Sequence, residues 1–412
     1  MAWLMTIIYI SIIFAFFALT FYIFTFFSAI KRKALQLKDS ELPFATVLIP
    51  AWNEEASVKK TMDSILGSDY PNFEVIFIDN NSKDKTYELA KEYEKDLKVR
   101  VLQESRQGKA CAVNLGIKEA KGEVIFTMDA DTIVDKSSMR KMVRYFKDES
   151  VVSVTPAMLI DNPNTVLRRM QHIEYLLGIF LRKVFATLNA IYIAPGAFTV
   201  YRKWFFEKYG DYDEGNITED LEMAMRIQSK GYRTENAPDA NIYTCGPSGF
   251  RSLTTQRIRW YTGLITNFYA YRHLVSRKYG DLGLLVLPIG WITIFFSMFI
   301  LISTVIQSAI DAAHYVQFLG SIGFDFLGIF HMSWLGLEQW FFGVISEPVV
   351  IFIFFSLFAV ILYMGYAERK TGRIKHLKRN LFIFFILFGP LFCYWWVMSV
   401  FKIIFGRKVT WR

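Results

Sequence analysis

The run Glu123 to Thr132, Glu-Val-Ile-Phe-Thr-Met-Asp-Ala-Asp-Thr, is apolar and strand-like and ends in two carboxylates one residue apart. Side chains alternate along a strand, so Asp129 and Asp131 are expected to leave on the same side where the chain turns out of a sheet. Such a pair can hold one small divalent cation, which fills its other positions with water and substrate phosphates, so a phosphate-bearing ligand is implied. An isolated Asp-x-Asp is also an ordinary acidic loop. Thr218-Glu219-Asp220 precedes the helical pattern Leu221 to Lys230. Thr is a good N-cap and first-turn acids are stabilised by the helix dipole, so capping is the local reading. The same field would keep Asp220 ionised and able to accept a proton. Gly108-Lys109 opens a helix and could offer backbone donors and one ammonium to a diphosphate, or be a loop entering a solvated helix. In Gln256-Arg257-Ile258-Arg259-Trp260, a helix would put Gln256, Arg259 and Trp260 on one face. Arg259 suits bidentate phosphate pairing and Trp260 offers a stacking surface, although a basic-aromatic segment here also suits a lipid interface.

These residues need a scaffold. Candidate strands are Thr46 to Ile49, Val75 to Ile78, Val99 to Leu102, Val124 to Met128 and Val151 to Thr155. Between them lie amphipathic stretches at Ala56 to Leu66, Thr86 to Lys95, Lys109 to Glu119 and Ser137 to Phe146. The alternation predicts an α/β domain with a mainly parallel sheet and helices on both faces. Ligands in such sheets bind beyond the strands' carboxyl ends. Asn53, Glu54 and Glu55, then Asp79 to Ser82, then Asp129 and Asp131 gather there. No Gly-x-x-x-x-Gly-Lys-Ser/Thr loop occurs and no Gly-x-Gly-x-x-Gly opens a helix, so nucleotide triphosphatase and dinucleotide oxidoreductase readings lose support. Asn164 to Leu188 reads as a long helix and Ile191 to Phe198 as an apolar turn.

The chain has 412 residues, 53% hydrophobic, 17% aromatic and 21% charged, which fits one soluble domain with membrane segments at both ends. Trp3 to Phe27 is uncharged and long enough for a bilayer core of about 30 Å. Lys31, Arg32 and Lys33 follow at once, which reads as an anchor with the next domain in the cytoplasm rather than a cleaved signal peptide. The net charge of +9 gathers beside apolar segments, as in Arg369, Lys370, Arg373, Lys375, Lys378 and Arg379, so lipid headgroups rather than nucleic acid are the expected partners. Cys111, Cys245 and Cys393 form no Cys-x-x-Cys and suit a reducing compartment. Thr262 to Tyr279 reads as an interfacial helix, Leu284 to Ile306 and Val349 to Tyr366 as spans, and Phe324 to Phe342, with Asp325, His331 and Glu338, as interfacial. Leu381 to Phe405 is interrupted at Gly389-Pro390. Three full crossings would put Arg407, Lys408 and Arg412 outside, so a re-entrant hairpin broken at that dipeptide is expected. The expected division is an anchor over 1–34, a cytosolic domain over 43–261, an interfacial helix over 262–282 and a membrane region over 283–412.

Pro50-Ala51-Trp52-Asn53-Glu54, Asp79 before Asn-Asn-Ser, Gly108-Lys109, Asp129-Ala130-Asp131, Thr218-Glu219-Asp220 and Gln256-Arg257-Ile258-Arg259-Trp260 appear in that order. The series resembles the membrane-bound inverting family-2 glycosyltransferases, among them the synthases of poly-N-acetylglucosamine, cellulose, chitin and hyaluronan. The arrangement is most similar to poly-N-acetylglucosamine synthases, with Gly196-Ala197-Phe198-Thr199 resembling their acceptor-side turn. The resemblance covers roughly Pro43 to Tyr261 and implies a GT-A-type, Rossmann-like domain with transmembrane and interfacial helices. It also implies that Pro50, Ala51, Glu54 and Asp79 line the base pocket, that Lys109 approaches the phosphates, and that Asp129 touches ribose and diphosphate. By the same resemblance Asp131, with Asp129, holds Mg²⁺ or Mn²⁺ and Asp220 is the general base. Gln256, Arg259 and Trp260 would hold the diphosphate and the acceptor end, with Gly196 and Glu219 on the acceptor side. Trp52 stands where Tyr is usual, and Asn80-Asn81 replace a common Asp-Gly, which bears on base contacts and donor identity.

The implied reaction is inverting, metal-dependent transfer from a UDP-sugar to a growing polysaccharide at the cytosolic face of the plasma membrane, coupled to export of the polymer. No second carboxylate suits a covalent sugar intermediate. Transfer of a single sugar to a lipid acceptor is the alternative, since glucosylceramide synthases resemble the same motif set. A non-catalytic membrane scaffold or exporter is a remote third reading. The expected partners are a nucleotide sugar, a glycan or lipid acceptor, the lipid bilayer and a small membrane partner protein.

Overall fold

The computed structural model describes residues 2–30, 38, 41–321, 323, 338–339, 341–343, 348–371 and 376–406. After the apolar helix α1 (Ala2–Ile30), strands and helices alternate from Ala45. The order is β1 (Ala45–Ala51), α2 (Val58–Leu66), β2 (Phe73–Asp79), α3 (Thr86–Lys91), β3 (Val99–Gln103), α4 (Lys109–Glu119), β4 (Val124–Met128), β5 (Thr132–Val134), α5 (Ser138–Val143) and β6 (Val151–Ile160). Then come α6 (Val166–Thr187), β7 (Phe198–Arg202), α7 (Lys203–Tyr209), α8 (Glu219–Ser229), β8 (Arg233–Thr244) and α9 (Phe250–Ala270). Long helices α10 (Leu287–Ser321), α11 (Pro348–Thr371) and α12 (Leu377–Ile404) follow.

The strands form an 8-stranded sheet in the order β3-β2-β1-β4-β7-β6-β8-β5. The expected α/β architecture holds, and the sheet is mixed: β3, β2, β1 and β4 are parallel, whereas β7 runs antiparallel to β4 and β6, and β5 antiparallel to β8. Period-two alternation divides the core between two faces. Val47, Ile49, Phe77 and Phe126 pack with Met62 of α2 and Met142 of α5, while Leu48, Ile76 and Ile125 pack with Val113 and Ile117 of α4 and Phe205 of α7. Phe77 and Phe126 are completely buried, each worth about 2–3 kcal/mol of hydrophobic transfer. The loops that carry Glu54, Lys109 and the Asp129–Asp131 pair therefore leave the ends of β1, β3 and β4.

The chain forms two compact units, one of 1–24 with 287–366 and the other of 25–286 with 367–412. In the first, the Phe16 ring lies 4.9 Å from Phe352 and 5.0 Å from Phe355, and Phe14 lies 5.6 Å from Phe296. In the second, α12 packs along α6 and α9, with Trp395, Trp396 and Ser399 buried. Four described helical segments are long and apolar enough to cross a membrane: Thr6–Ser28, Leu282–Ser321, Val350–Ala367 and Leu377–Ile404.

Three expectations change. The break at Gly389-Pro390 does not occur, because α12 continues through Pro390, held by packing along one face. The boundary expected between 261 and 262 falls inside α9, which joins the Gln256–Trp260 segment to residues 262–270 in one helix. The 283–412 region is also divided, since α12 packs in the unit that contains the sheet. The interfacial segment expected at Phe324 to Phe342 lies mostly outside the described residues, as do Lys31 to Lys33.

Candidate active site

The sheet's topology assembles the site. Parallel pairing sets Pro50 beside Ile78 and Ala51 beside Asp79. Beyond these ends the two loops knit together: Asn53 donates through its backbone N–H to Ser82 Oγ (3.0 Å), and Glu54 N–H to Thr86 Oγ1 (2.7 Å). Asn53 and Asn81 adopt left-handed backbone conformations, φ 55° and 61°, which asparagine tolerates better than most residues. Asp79 is buried; its Oδ2 accepts from the Ser82 N–H at 3.4 Å, and its Oδ1 has no partner among the described residues. A buried acceptor of this kind suits a donor from a ligand base or ribose.

Asn80 explains one departure from the family pattern. Its Nδ2 donates to the carbonyls of Glu104 (3.1 Å) and Arg106 (2.7 Å), and its Oδ1 accepts from the Gly108 N–H (2.8 Å). An ionised aspartate could not donate to those carbonyls. Asn80 thus shapes the loop that delivers Lys109.

Antiparallel pairing of β4 with β7 sets Met128 opposite Phe198, and the Asp129 N–H donates to the Ala197 carbonyl at 3.3 Å. The Gly196 turn is therefore fastened to the Asp-x-Asp turn. A Cβ on Gly196 would stand 2.8 Å from Asp220 Oδ2 and 3.0 Å from Lys109 Nζ, so this glycine permits a close approach. Lys109 Nζ is 2.5 Å from Asp129 Oδ1 and 3.5 Å from Glu219 Oε1. Burial alone would lower the Lys109 ammonium, but Asp129, Glu219 and Asp220 outweigh it and hold the proton firmly. Burial raises Glu219, with Lys109 opposing and Asp220 reinforcing the shift.

Asp131 keeps some surface open, yet burial, then Asp129, then Glu54 push its carboxyl up to about 7. Crowded carboxylates of hard oxygen character, destabilised as anions, fit a divalent cation that would restore the charge balance. Among the described residues no group of three or more His, Cys, Asp or Glu side chains is gathered into a preformed metal cluster.

Thr218 stands at the N-terminus of α8 but its side chain makes no capping bond. Its Oγ1 instead accepts from Asn267 Nδ2 at 3.0 Å, and a Cβ on Gly263 would lie 2.2 Å from that oxygen. Gly263 thus lets α9 lie directly on the Thr-Glu-Asp turn. Arg259 Nη1 donates to the Ile217 carbonyl at 3.4 Å, and its charge reaches Glu219. Asp129, Asp131, Lys109, Gly196, Glu219, Asp220 and Arg259 consequently share one region. Gln256 and Trp260 lie on the same helix, but one face of Trp260 is covered by Arg257, whose guanidinium is 4.2 Å from the ring. Gln256 Oε1 is buried without a hydrogen-bond partner among the described residues. Sequence reasoning assigned nothing to Asn267, Glu174 or Arg257, although Arg257 lies inside the Gln-x-x-Arg-Trp run; Asn80 stood out only as a departure from Asp-Gly, not as the residue that holds the Lys109 loop.

The mixed α/β sheet places carboxylates at the ends of β2 and β4, and residues 46–210 match the Glycosyl transferase family 2 model. The match spans the segment from β1 through α7. The chain is 33% identical over 247 residues to a poly-beta-1,6-N-acetyl-D-glucosamine synthase of Staphylococcus aureus, covering 58% of this chain and 60% of that protein. It is 32% identical over 220 residues to the synthase of the same name from Staphylococcus epidermidis, covering 52% and 53%. The chain therefore spans about 60% or less of the length of these relatives. A mannosyltransferase from Pyrobaculum calidifontis, solved with GDP-Man and Mn2+, shares the fold over 98% of this chain and 100% of its own at TM-score 0.60 and 18% identity.

Proposed function

We propose that this chain transfers a sugar from a UDP-sugar to a growing polysaccharide, with inversion, in a cytosol-facing domain tethered to the plasma membrane. The observation that carries the reading is Asp220 packed against Gly196 and beside Lys109, with Lys109 in turn 2.5 Å from Asp129. A candidate base and the candidate phosphate-side residues thus meet at one point, as single displacement requires. The likeness to the staphylococcal synthases supports a polymeric acceptor.

In this mechanism Pro50, Ala51, Glu54 and Asp79 bind the nucleoside. Asp131 and Asp129 would hold Mg²⁺ or Mn²⁺, which supplies charge compensation for the departing diphosphate. Arg259, with Lys109 and Gln256, holds the diphosphate as negative charge develops on it. Asp220 takes the proton from the acceptor hydroxyl, and Gly196 keeps the approach to that carboxylate narrow. Glu219 and Trp260 contact the acceptor end. The spanning helices anchor the domain and pass the product outward, with a small membrane protein as a further partner.

The test uses the full chain in lipid nanodiscs with UDP-N-acetylglucosamine, then a panel of other UDP-sugars, and Mg²⁺ or Mn²⁺. UDP release with a ladder of polymer and no added lipid acceptor is expected. A single lipid-linked product would move the reading to lipid glycosylation, and absence of UDP release across the panel would end it.

A further inference from the structure

Arg257 is fully buried, and its Nη2 donates to Glu174 Oε2 of α6 at 2.7 Å. Its guanidinium also lies 4.2 Å from the Trp260 ring and 5.8 Å from the Trp395 ring, placing the cation between an indole of α9 and one of α12. Among the described residues Nε and Nη1 have no acceptor in hydrogen-bonding geometry, although the Tyr175 hydroxyl is close by. Each unpaired buried donor costs on the order of 1–3 kcal/mol, and a desolvated ion pair adds little net stability. An apolar side chain would fill this place at lower cost, so stability alone does not account for the guanidinium.

The surroundings show what it does. One side of α9, through Arg259, Gly263 and Asn267, faces the Thr-Glu-Asp turn. Another side is fastened to α12: Trp395 Nε1 donates to Thr254 Oγ1 at 3.2 Å, Ser399 Oγ donates to the Ile258 carbonyl at 3.4 Å, and Tyr261 stacks on Trp396 at 5.0 Å. Trp260 lies at the border of these two sides. An indole held only by its helix would sample other rotamers, whereas a cation fixed over one face removes that freedom.

We infer that Arg257 is a positioning residue that fixes the Trp260 indole for the acceptor, and that Glu174 and Trp395 hold Arg257 in place. Helix α12, long and apolar enough to cross a membrane, is on this inference a component of the acceptor site. The inference rests on the transferase reading, in which Trp260 meets the acceptor.

A double-mutant cycle tests it in the full chain, using Arg257→Lys, which keeps a cation for Glu174 but loses the planar stack, and Trp260→Phe. Soluble N-acetylglucosamine oligosaccharides serve as acceptor probe and UDP with Mn²⁺ as donor-side probe. Arg257→Lys is expected to raise the acceptor KM about ten-fold and shorten the product, with UDP affinity within two-fold of the unaltered protein. In the Trp260→Phe background the same change should have little further effect, because a residue acting only through Trp260 is non-additive with it. Trp395→Phe, which keeps an aromatic ring near Arg257 but weakens the cation contact and gives up the hydrogen bond to Thr254, should move acceptor KM in the same direction and serves if Arg257→Lys does not fold; Thr254→Val, which removes only that hydrogen bond, should leave acceptor KM unchanged. Additive effects, or unchanged acceptor KM in both Arg257→Lys and Trp395→Phe, would overturn the inference while normal UDP binding leaves the transferase reading standing. Failure of the unaltered chain to bind UDP would overturn that reading, and this inference with it.

Discussion

Lys109 Nζ rests 2.5 Å from Asp129 Oδ1, so the ammonium already serves as a counter-cation for the turn expected to hold a metal. Glu219 at 3.5 Å and Asp220 nearby deepen that hold. Free Mn²⁺ must compete with a charge that is covalently part of the chain, whereas a diphosphate gives the lysine an alternative anion. Lys109→Met, close in shape but uncharged, should therefore bind Mn²⁺ alone about ten-fold more tightly, roughly 1.4 kcal/mol, and bind UDP more weakly. Titration of the Mn²⁺ paramagnetic signal with and without UDP measures both. Equal or weaker Mn²⁺ affinity in the variant would show that Lys109 does not compete.

Asp220→Asn keeps the size and removes the proposed proton acceptor. Its Oδ1 accepts from the Leu221 N–H at 2.8 Å, an interaction an amide oxygen can retain. Transfer should fall by about 10²–10⁴-fold, the usual contribution of a general base, while UDP affinity stays within a few-fold. Turnover close to that of the unaltered chain would remove Asp220 from the mechanism.

Gly196→Ala tests the close approach. The new methyl would stand 2.8 Å from Asp220 Oδ2 and 3.0 Å from Lys109 Nζ, and both are side-chain ends that can shift at small cost in stability. A displacement of about 1 Å in a reacting group can lower the rate about 10²-fold. The expected outcome is a loss of that order in kcat with about 1 kcal/mol or less lost from unfolding stability. Full activity would mean that the acceptor does not use this approach to Asp220.

The strands with alternating apolar runs were legible because burial on both faces leaves little choice of residue. Val75 to Ile78 and Val124 to Met128 stand out for that reason, and the start of α4 at Lys109 follows from Gly108 before it. Strand β8 was not legible. Its first nine residues, Arg-Thr-Glu-Asn-Ala-Pro-Asp-Ala-Asn, are poor in strand formers, and pairing with β6, interrupted by an irregularity after Pro156, draws them into the strand that Ile242-Tyr243-Thr244 completes. Strand β7 is not evident in the sequence beyond its first residue, Phe198, which closes the expected apolar turn, because its start depends on the antiparallel partner β4. The ordered acids of the site were visible as a motif series. The roles of Asn80, Gly263 and Asn267 were not, since each depends on a contact between distant segments. Capping by Thr218 was the sound local expectation, and the approach of α9 redirects its hydroxyl.

His172 gives the domain a pH dependence separate from its chemistry. The side chain is buried on α6, its Nδ1 lacks a partner among the described residues, and burial depresses the imidazole to about 4 despite an opposing backbone hydrogen bond with Ile160. The unfolded chain has the ordinary value of about 6.5. Above that pH both states are neutral here and His172 adds no pH dependence. As pH falls below about 6.5 the unfolded state takes up a proton that the folded state refuses until about 4, so stability is lost in that window. Between pH 7 and pH 5 the loss is roughly 2 kcal/mol by this linkage. His172→Gln, neutral throughout, should have a flatter unfolding profile over that range than the unaltered chain. Denaturation midpoints measured at pH 7, 6 and 5 for both proteins decide the matter, and parallel profiles would show that His172 is protonated in the fold as readily as in the unfolded chain.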